Sequence, residues 1–111
     1  MNWPYALPRK KQNLETNHAR GFRAEAAAAQ FLENLGYKII KSRYKTKLGE
    51  IDIITKRNKL ICFVEVKMRQ TEAEALEAVN ARTRRRIENA ALIFLNENPE
   101  FTDYEMRFDV I

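Results

Sequence analysis

The hydrophobic positions of the chain change their period along its length, and each period predicts a different element. Between residues 18 and 35 the apolar residues recur at helical spacing, and Gly36 follows as a helix C-cap. Three strand-length stretches come next, which read "YKIIKSRYKTK", "GEIDIITK" and "KLICFVEVKMRQ". The first alternates basic residues with uncharged ones, and the other two are joined as a hairpin.

The second half of the chain is mainly helical and then returns to a strand. Helical spacing extends from about Glu72 to Asn98, with a break near Asn80 as one option, and Pro99 ends the helix. The stretch "YEMRFDVI" then alternates as a strand. The predicted order is helix, three strands, helix, strand. This order favours a single α/β domain with a mixed sheet flanked by helices.

The N-terminal segment differs from the rest of the chain because it has no hydrophobic period. Residues 1–17 contain two prolines and the basic cluster "RKK". We interpret them as a flexible basic arm, which leaves residues 18–111 as the folded domain.

The predicted hairpin has charged residues where a core strand would have apolar ones. Side-chain alternation predicts that its apolar residues share one face of the sheet: Ile51, Ile53, Val64 and Val66. Its charged residues then meet on the other face: Asp52, Glu65 and Lys67. The sequence therefore predicts a cluster of charges at one end of the sheet.

Two structural explanations of this cluster compete with a functional one. Glu65 and Lys67 could form an exposed ion pair, or the whole face could be solvated. However, "LICFVEVKM" is apolar on both faces up to Glu65, which favours a central strand covered on both sides. Charges in a covered strand need partners or a metal, and carboxylate and carbonyl oxygens are ligands of Mg²⁺ and Mn²⁺.

One carboxylate in the first helix breaks the sorting of polar and apolar residues. Glu25 falls inside the arc formed by the apolar residues, beside Leu32. A buried carboxylate needs compensation, whereas one at the border of the arc can reach water. The helix pattern leaves both interpretations open.

Composition and charge narrow the class of partner. The net charge of +5 and the pI near 9.5 favour a polyanion such as nucleic acid. The single cysteine, Cys62, excludes a disulfide framework and is consistent with a reducing cytoplasm and a small buried side chain. The longest apolar runs have the length of strands and fall short of a membrane helix, so no membrane association is expected.

Two basic stretches are candidates for contact with a phosphate backbone. The first lies on one face of the first predicted strand and consists of Lys41, Arg43, Lys45 and Lys47. The second lies near the start of the last helix and consists of Arg82, Arg84, Arg85 and Arg86. Either stretch taken singly is equally consistent with a solvated surface.

The order of elements, together with Glu25, Asp52 and "EVK" at residues 65–67, resembles the PD-(D/E)XK nuclease superfamily. More narrowly, the chain is similar to the YraN-like family of small bacterial endonuclease-like proteins. The similarity lies in the stretches "ARGFRAEAAAAQFLENLGYKII", "GEIDIIT", "FVEVKMR" and "MRFDVI". The archaeal Holliday-junction resolvases share the same acidic residues and lysine.

The resemblance implies a restriction-endonuclease-like core and assigns roles to the charged residues. Asp52 and Glu65 would bind Mg²⁺ or Mn²⁺, Lys67 would be the catalytic lysine, and Glu25 would be a further acid reaching the metal or its water. Glu50 ranks below these four as a further ligand or outer group. The chain has Thr83 where the family tends to have a lysine, and the family pattern usually continues beyond Ile111.

The resulting functional hypothesis is a metal-dependent endonuclease that hydrolyses phosphodiester bonds in DNA, including branched DNA as a candidate substrate. The alternative is a non-catalytic nucleic-acid-binding module that retains the nuclease fold. A third hypothesis is a partner-binding domain whose acidic cluster is coincidental. Cleavage of both strands of a duplex or junction would favour a homodimer.

Overall fold

The computed structural model describes residues 17–67 and 69–111, with side chains from residue 21 onward. Its elements in chain order are α1 (Asn17–Asn34), β1 (Lys38–Lys45), β2 (Glu50–Arg57), β3 (Leu60–Glu65), α2 (Glu72–Glu77), α3 (Ala81–Glu97), a 3₁₀ turn (Pro99–Phe101) and β4 (Glu105–Val110). The predicted order and α/β class are confirmed. The predicted basic arm falls, except for its last residue, outside the described residues.

The four strands form one mixed sheet in the order β1–β2–β3–β4. β1, β2 and β3 are antiparallel neighbours, and β4 lies parallel to β3. One buried cluster joins the sheet to α1, and a second joins its other face to α2 and α3. The sheet is therefore covered by helices on both faces, as the sequence predicts, and β3 is buried on both of its faces.

The two longer helices have local signals at their ends. Gly36 has a φ of 90°, and the N–H of Tyr37 donates to the carbonyl of Leu32 at 3.0 Å, which is a Schellman ending. At the start of α3, the side chain of Asn80 accepts a hydrogen bond from the N–H of Thr83 at 2.9 Å. The break near Asn80 is therefore confirmed, and it separates α2 from α3.

No helix within residues 17–67 and 69–111 combines the length and the apolar character that crossing a bilayer requires.

Side-chain alternation breaks near the charged end of the hairpin. Ile51 packs with Ile54 in the cluster beneath α3, whereas Ile53 packs in the cluster beneath α1. The prediction that Ile51 shares a face with Ile53 is therefore wrong. Two successive odd-numbered residues of a regular strand would point to the same side, so the chain must rotate between them.

A left-handed residue in the neighbouring strand coincides with this rotation. Arg43 has a φ of 53°, a conformation that costs free energy for any residue with a Cβ. The ladder omits Arg43 and pairs the residues around it: Ser42 with Ile53 and Tyr44 with Ile51. The register of this ladder shifts at a different place, between Ile39 and Lys41, so the bulge in β1 precedes Arg43.

A close backbone contact fixes the β1–β2 turn against α3. A Cβ atom built on Gly49 would lie 1.9 Å from the carbonyl oxygen of Arg86. Only glycine allows the two backbones to approach so closely. The contact holds the first residues of β2 against the N-terminal half of α3.

We expect Gly49→Ala to destabilise the protein by about 1–3 kcal/mol, because the added methyl group must displace backbone atoms. Gly21→Ala is the matched control, since a Cβ at Gly21 in α1 would meet nothing within 4 Å. That substitution should stabilise the protein by about 0.5–1 kcal/mol through the higher helix propensity of alanine. Urea unfolding measures both, and a Gly49→Ala protein as stable as wild type would contradict the close contact.

Candidate active site

The charged end of the sheet begins where the ladder between β2 and β3 stops. The last paired residues are Ile53 and Val64. One step further, the backbone N–H of Val66 donates to Oδ2 of Asp52 at 2.9 Å. A side chain thus takes the place of a ladder carbonyl, and it holds the Asp52 carboxylate beside the end of β3.

Glu65 and Lys67 complete the cluster on the other side of Asp52. Nζ of Lys67 lies 3.3 Å from Oε2 of Glu65, whose side chain is only 12% exposed. The backbone around them is bound to the end of the chain: the N–H of Lys67 donates to the carbonyl of Ile111 at 2.7 Å, and the N–H of Ile111 donates to the carbonyl of Glu65 at 2.9 Å. Asp52, Glu65 and Lys67 therefore come together.

The electrostatics of this cluster are those of two like charges held close together. Burial raises the pKa of Glu65 well above its ordinary value, and the charge and hydrogen bond of Asp52 raise it further. Lys67 acts in the opposite direction but does not outweigh these effects. These effects raise the pKa of Glu65 to about 9, so Glu65 retains a proton at neutral pH.

Glu25 extends from α1 toward the same end of the sheet. Its Oε1 accepts a hydrogen bond from Nε of Arg43 at 2.8 Å, and its side chain is 21% exposed. Burial and the charge of Asp52 raise the pKa of Glu25, and Arg43 lowers it. Glu25 therefore lies between the two predicted cases, burial with compensation and exposure to water. Its side chain is half-buried, and Arg43 is its compensating partner.

A cavity of about 140 Å³ lies between α1, the end of β1 and the start of β2. It has acidic and basic walls and is lined by Glu25, Arg43, Lys45, Glu50, Ile51 and Asp52. At roughly 30 Å³ per water molecule, it has room for a few waters or one hydrated ion. Glu50 therefore lies beside Asp52 and Glu25.

The donor set fits a hard divalent cation only in part. Asp52 and Glu65 supply neighbouring carboxylate oxygens, which Mg²⁺ and Mn²⁺ prefer, and a cation would relieve their mutual repulsion. Across residues 17–67 and 69–111, however, no three acidic, histidine or cysteine side chains converge as a metal-binding group. The carboxylate of Glu25 is bonded to Arg43 instead.

The first basic stretch does not share one face. Lys45 lines the cavity with Glu25, whereas Lys41 is paired with Ile54, whose side chain packs beneath α3. The left-handed conformation of Arg43 lies between them. The predicted common face is therefore wrong, although Arg43 and Lys45 both reach the site. Lys47 is exposed in the turn before β2.

The second basic stretch divides into structural and exposed members. Nε of Arg84 donates to the carbonyl of Val79 at 3.1 Å and helps to join α2 to α3. The remaining arginines are exposed: Arg82, Arg85 and Arg86. Because Gly49 contacts the backbone of Arg86, this surface lies beside the start of β2.

Sequence reasoning missed a second charged cluster, on the α1 face of the sheet. Asp109 is completely buried in β4, and its carboxylate accepts hydrogen bonds from Nε of Arg107 at 2.9 and 3.0 Å. Nη2 of Arg107 also donates to the hydroxyl of Tyr37 at 2.8 Å. An aspartate among apolar residues, two positions after an arginine, was the available signal. Nearby, burial raises the pKa of Cys62 to about 11, which suits an unreactive core thiol.

Comparison with known proteins gives consistent matches. The sequence model of the uncharacterised protein family UPF0102 matches residues 24–111. A UPF0102 protein of Azorhizobium caulinodans is 45% identical over 91% of this chain and 77% of its own length. A UPF0102 protein of Bartonella tribocorum is 43% identical over 95% of this chain and 79% of its own. One from Rhodopseudomonas palustris is 46% identical over 82% of this chain and 70% of its own.

We expect Glu65→Gln to remove a pH-dependent loss of stability. The raised pKa means that folded Glu65 holds a proton above pH 4.5, its ordinary value, where unfolded Glu65 loses it. Wild-type stability attributable to this group is therefore fully present below that pH and falls as the pH rises. The amide variant should be more stable than wild type at pH 8 by about 1–2 kcal/mol, and the difference should shrink toward pH 5.

Urea unfolding in the presence of a chelator measures this difference. Glu33→Gln, on the exposed side of α1, removes the same charge away from the cluster and should show no such trend. Identical pH profiles for wild type and Glu65→Gln would contradict the raised pKa.

Proposed function

The chain belongs to protein family UPF0102, the YraN-like family, and we propose that it is a divalent-metal-dependent endonuclease acting on DNA. The observation that carries the proposal is the pair of neighbouring carboxylates, Asp52 and Glu65, with the ammonium of Lys67 3.3 Å from Glu65. A fold gains no stability from two partly buried carboxylates side by side. Arrangements of this kind are typical of sites that bind a cation.

Asp52 and Glu65 are the proposed ligands of Mg²⁺ or Mn²⁺, with Glu25, which lines a cavity together with Asp52, as an additional acid. When bound, such an ion supplies Lewis-acid stabilisation of the negative charge that develops on a phosphate during hydrolysis. The protein fixes the two carboxylates before any ligand arrives, because Asp52 is bonded to the backbone of Val66 and the backbone of Glu65 to that of Ile111. Preorganisation of this kind lowers the reorganisation that the reaction requires.

Lys67 is the proposed group that acts on water and phosphate. Its ammonium can donate hydrogen bonds to the attacking water, which orients it, and to a non-bridging phosphate oxygen. The net reaction adds one water across a P–O bond and leaves a phosphomonoester and a hydroxyl group. Backbone bonds on both sides of Lys67 hold it near Glu65: its N–H binds Ile111, and its carbonyl accepts from Arg69 at 3.0 Å.

The basic residues beside the site are proposed to bind the DNA backbone. Arg43 and Lys45 line the cavity, and the exposed arginines of α3 lie beside the start of β2, on the side of the Gly49 contact. Both groups can therefore reach phosphates near a bond held at Lys67. The net charge of +5 favours the approach of a polyanion.

A second candidate function is nucleic-acid binding without hydrolysis. The observation that favours it is the engagement of Glu25 by Arg43, which leaves two neighbouring acids, Asp52 and Glu65, at the end of the sheet. In this case the acidic pair would be a remnant of the fold, and the basic surface alone would carry the function.

The nuclease proposal predicts cleavage of plasmid or branched DNA with Mn²⁺ and none with chelator. Glu65→Gln and Lys67→Ala should each reduce the rate by about 100-fold or more, because each removes a group proposed to act at the phosphate. Glu33→Gln is the control and should cleave at the wild-type rate. Cleavage that persists unchanged in both site variants would exclude the proposed site.

The binding alternative predicts salt-sensitive affinity for DNA without metal-dependent cleavage. Replacing Arg82, Arg85 and Arg86 with alanine should weaken binding and flatten the dependence of log K on log salt by roughly 0.9 per lost phosphate contact. Lys38→Ala, at the opposite end of the sheet from Glu50, is the charge control. A salt slope equal to that of wild type would remove these arginines from the interface.

A further inference from the structure

The ion pair between Arg43 and Glu25 is a contact at the candidate site that hydrolysis itself does not use. Nε of Arg43 lies 2.8 Å from Oε1 of Glu25. Both side chains line the cavity that also contains Asp52. The guanidinium of Arg43 is therefore paired with the carboxylate of Glu25, which a bound cation would otherwise attract.

The backbone of Arg43 is held in an unfavourable conformation to make this contact. Its φ of 53° lies in the left-handed region, which is unfavourable for a residue with a Cβ. Arginine has no special tolerance of this region, unlike the asparagine at position 58 with a φ of 54°. The surrounding structure must supply the energy for this conformation, and such outliers concentrate where a side chain has to be aimed.

The side chain of Arg43 packs against a defined position on α1. Its guanidinium carbon lies 3.7 Å from the centroid of the Phe22 ring, and Phe22 precedes Glu25 by three positions on the helix. The bond to Glu25 uses one of the five N–H donors of the guanidinium. The side chain is also 38% exposed. An anion from solvent can therefore reach a cation that is already oriented.

We infer that Arg43 is a positioning residue that keeps the carboxylate of Glu25 in an ion pair, and so out of the coordination of a cation, until a phosphate group of the nucleic acid takes over the guanidinium. A planar guanidinium binds phosphate through paired donors, which competes effectively with a single bond to Glu25. Glu25 already lines the same cavity as Asp52, and once released from Arg43 its carboxylate is available to the cation as a third acid. The inference rests on the proposed function. It makes binding of the cation at the acidic site depend on binding of a nucleic-acid phosphate at Arg43.

Loss of Arg43 should have opposite effects on the two ligands. In the absence of DNA, Arg43→Ala should bind Mn²⁺ about three- to tenfold more tightly than wild type, since Glu25 is released and an opposing charge is removed. In the presence of chelator, the same variant should bind a short DNA duplex severalfold more weakly. Calorimetry measures the first affinity, and fluorescence anisotropy measures the second.

Three further variants separate positioning from general charge or folding effects. Lys41→Ala removes one positive charge from the same strand, and it should leave Mn²⁺ affinity within about twofold of wild type. Arg43→Lys should restore wild-type Mn²⁺ affinity at least in part, because the ammonium can still pair with Glu25. Adding Glu25→Gln to Arg43→Ala should abolish the gain, since the released carboxylate is then absent.

The outcomes distinguish this inference from the function on which it rests. If wild type binds Mn²⁺ and Arg43→Ala binds it no more tightly than Lys41→Ala, the positioning role is excluded and the nuclease proposal stands. If Arg43→Ala loses affinity for both ligands while its unfolding transition is unchanged, Arg43 belongs to the cation site and the inference is wrong. If neither wild type nor Arg43→Ala binds Mn²⁺, with DNA or without it, both proposals are wrong.

Discussion

The hydrogen bond from the backbone N–H of Val66 to Asp52 determines the geometry of the charged end of the sheet. It forms at the first position where β2 and β3 no longer exchange ladder bonds. A backbone carbonyl there would simply have extended the hairpin. A carboxylate in its place brings a negative charge within hydrogen-bond distance of Glu65 and raises the pKa of Glu65. The acidic cluster therefore follows from the replacement of a backbone carbonyl by the Asp52 carboxylate at the end of the β2–β3 ladder.

The rest of the fold opposes the repulsion that this bond creates. β3 is buried on both faces, and the clusters beneath α1 and α3 hold the strands in register up to Val64. The backbone bonds of Ile111 to Glu65 and Lys67 tie the same region to β4. A small domain can hold two neighbouring acids only if apolar burial elsewhere exceeds the free energy lost there. The helices on both faces of the sheet supply that burial.

Sequence patterns predicted the elements that bury a regularly repeating face. They missed the features that depend on one contact between distant residues. Helical spacing and Asn80 predicted α1, α3 and the break before α3, because burial of one face imposes a period on the sequence. Alternation failed at Ile51, because no sequence signal identifies a left-handed arginine in a neighbouring strand. The grouping of Asp52 with Glu65 was nevertheless foreseen from strand pairing and the family resemblance. The contact of Glu25 with Arg43 was not, since it joins a helix to a strand irregularity.

The buried aspartate of β4 provides a comparison within the same chain. Asp109 is completely buried, and the fold gives it two bonds from Arg107, which is itself bonded to Tyr37. Burial raises the pKa of Asp109, and the bonded Arg107 acts in the opposite direction, so this buried acid has a direct cationic partner. At the end of β3 the chain gives Glu65 a second acid as a neighbour, and a lysine that does not offset the effect. Because both arrangements occur on one sheet, the unbalanced one is a local feature of that end, and the proposed divalent cation would supply the positive charge that Lys67 alone does not.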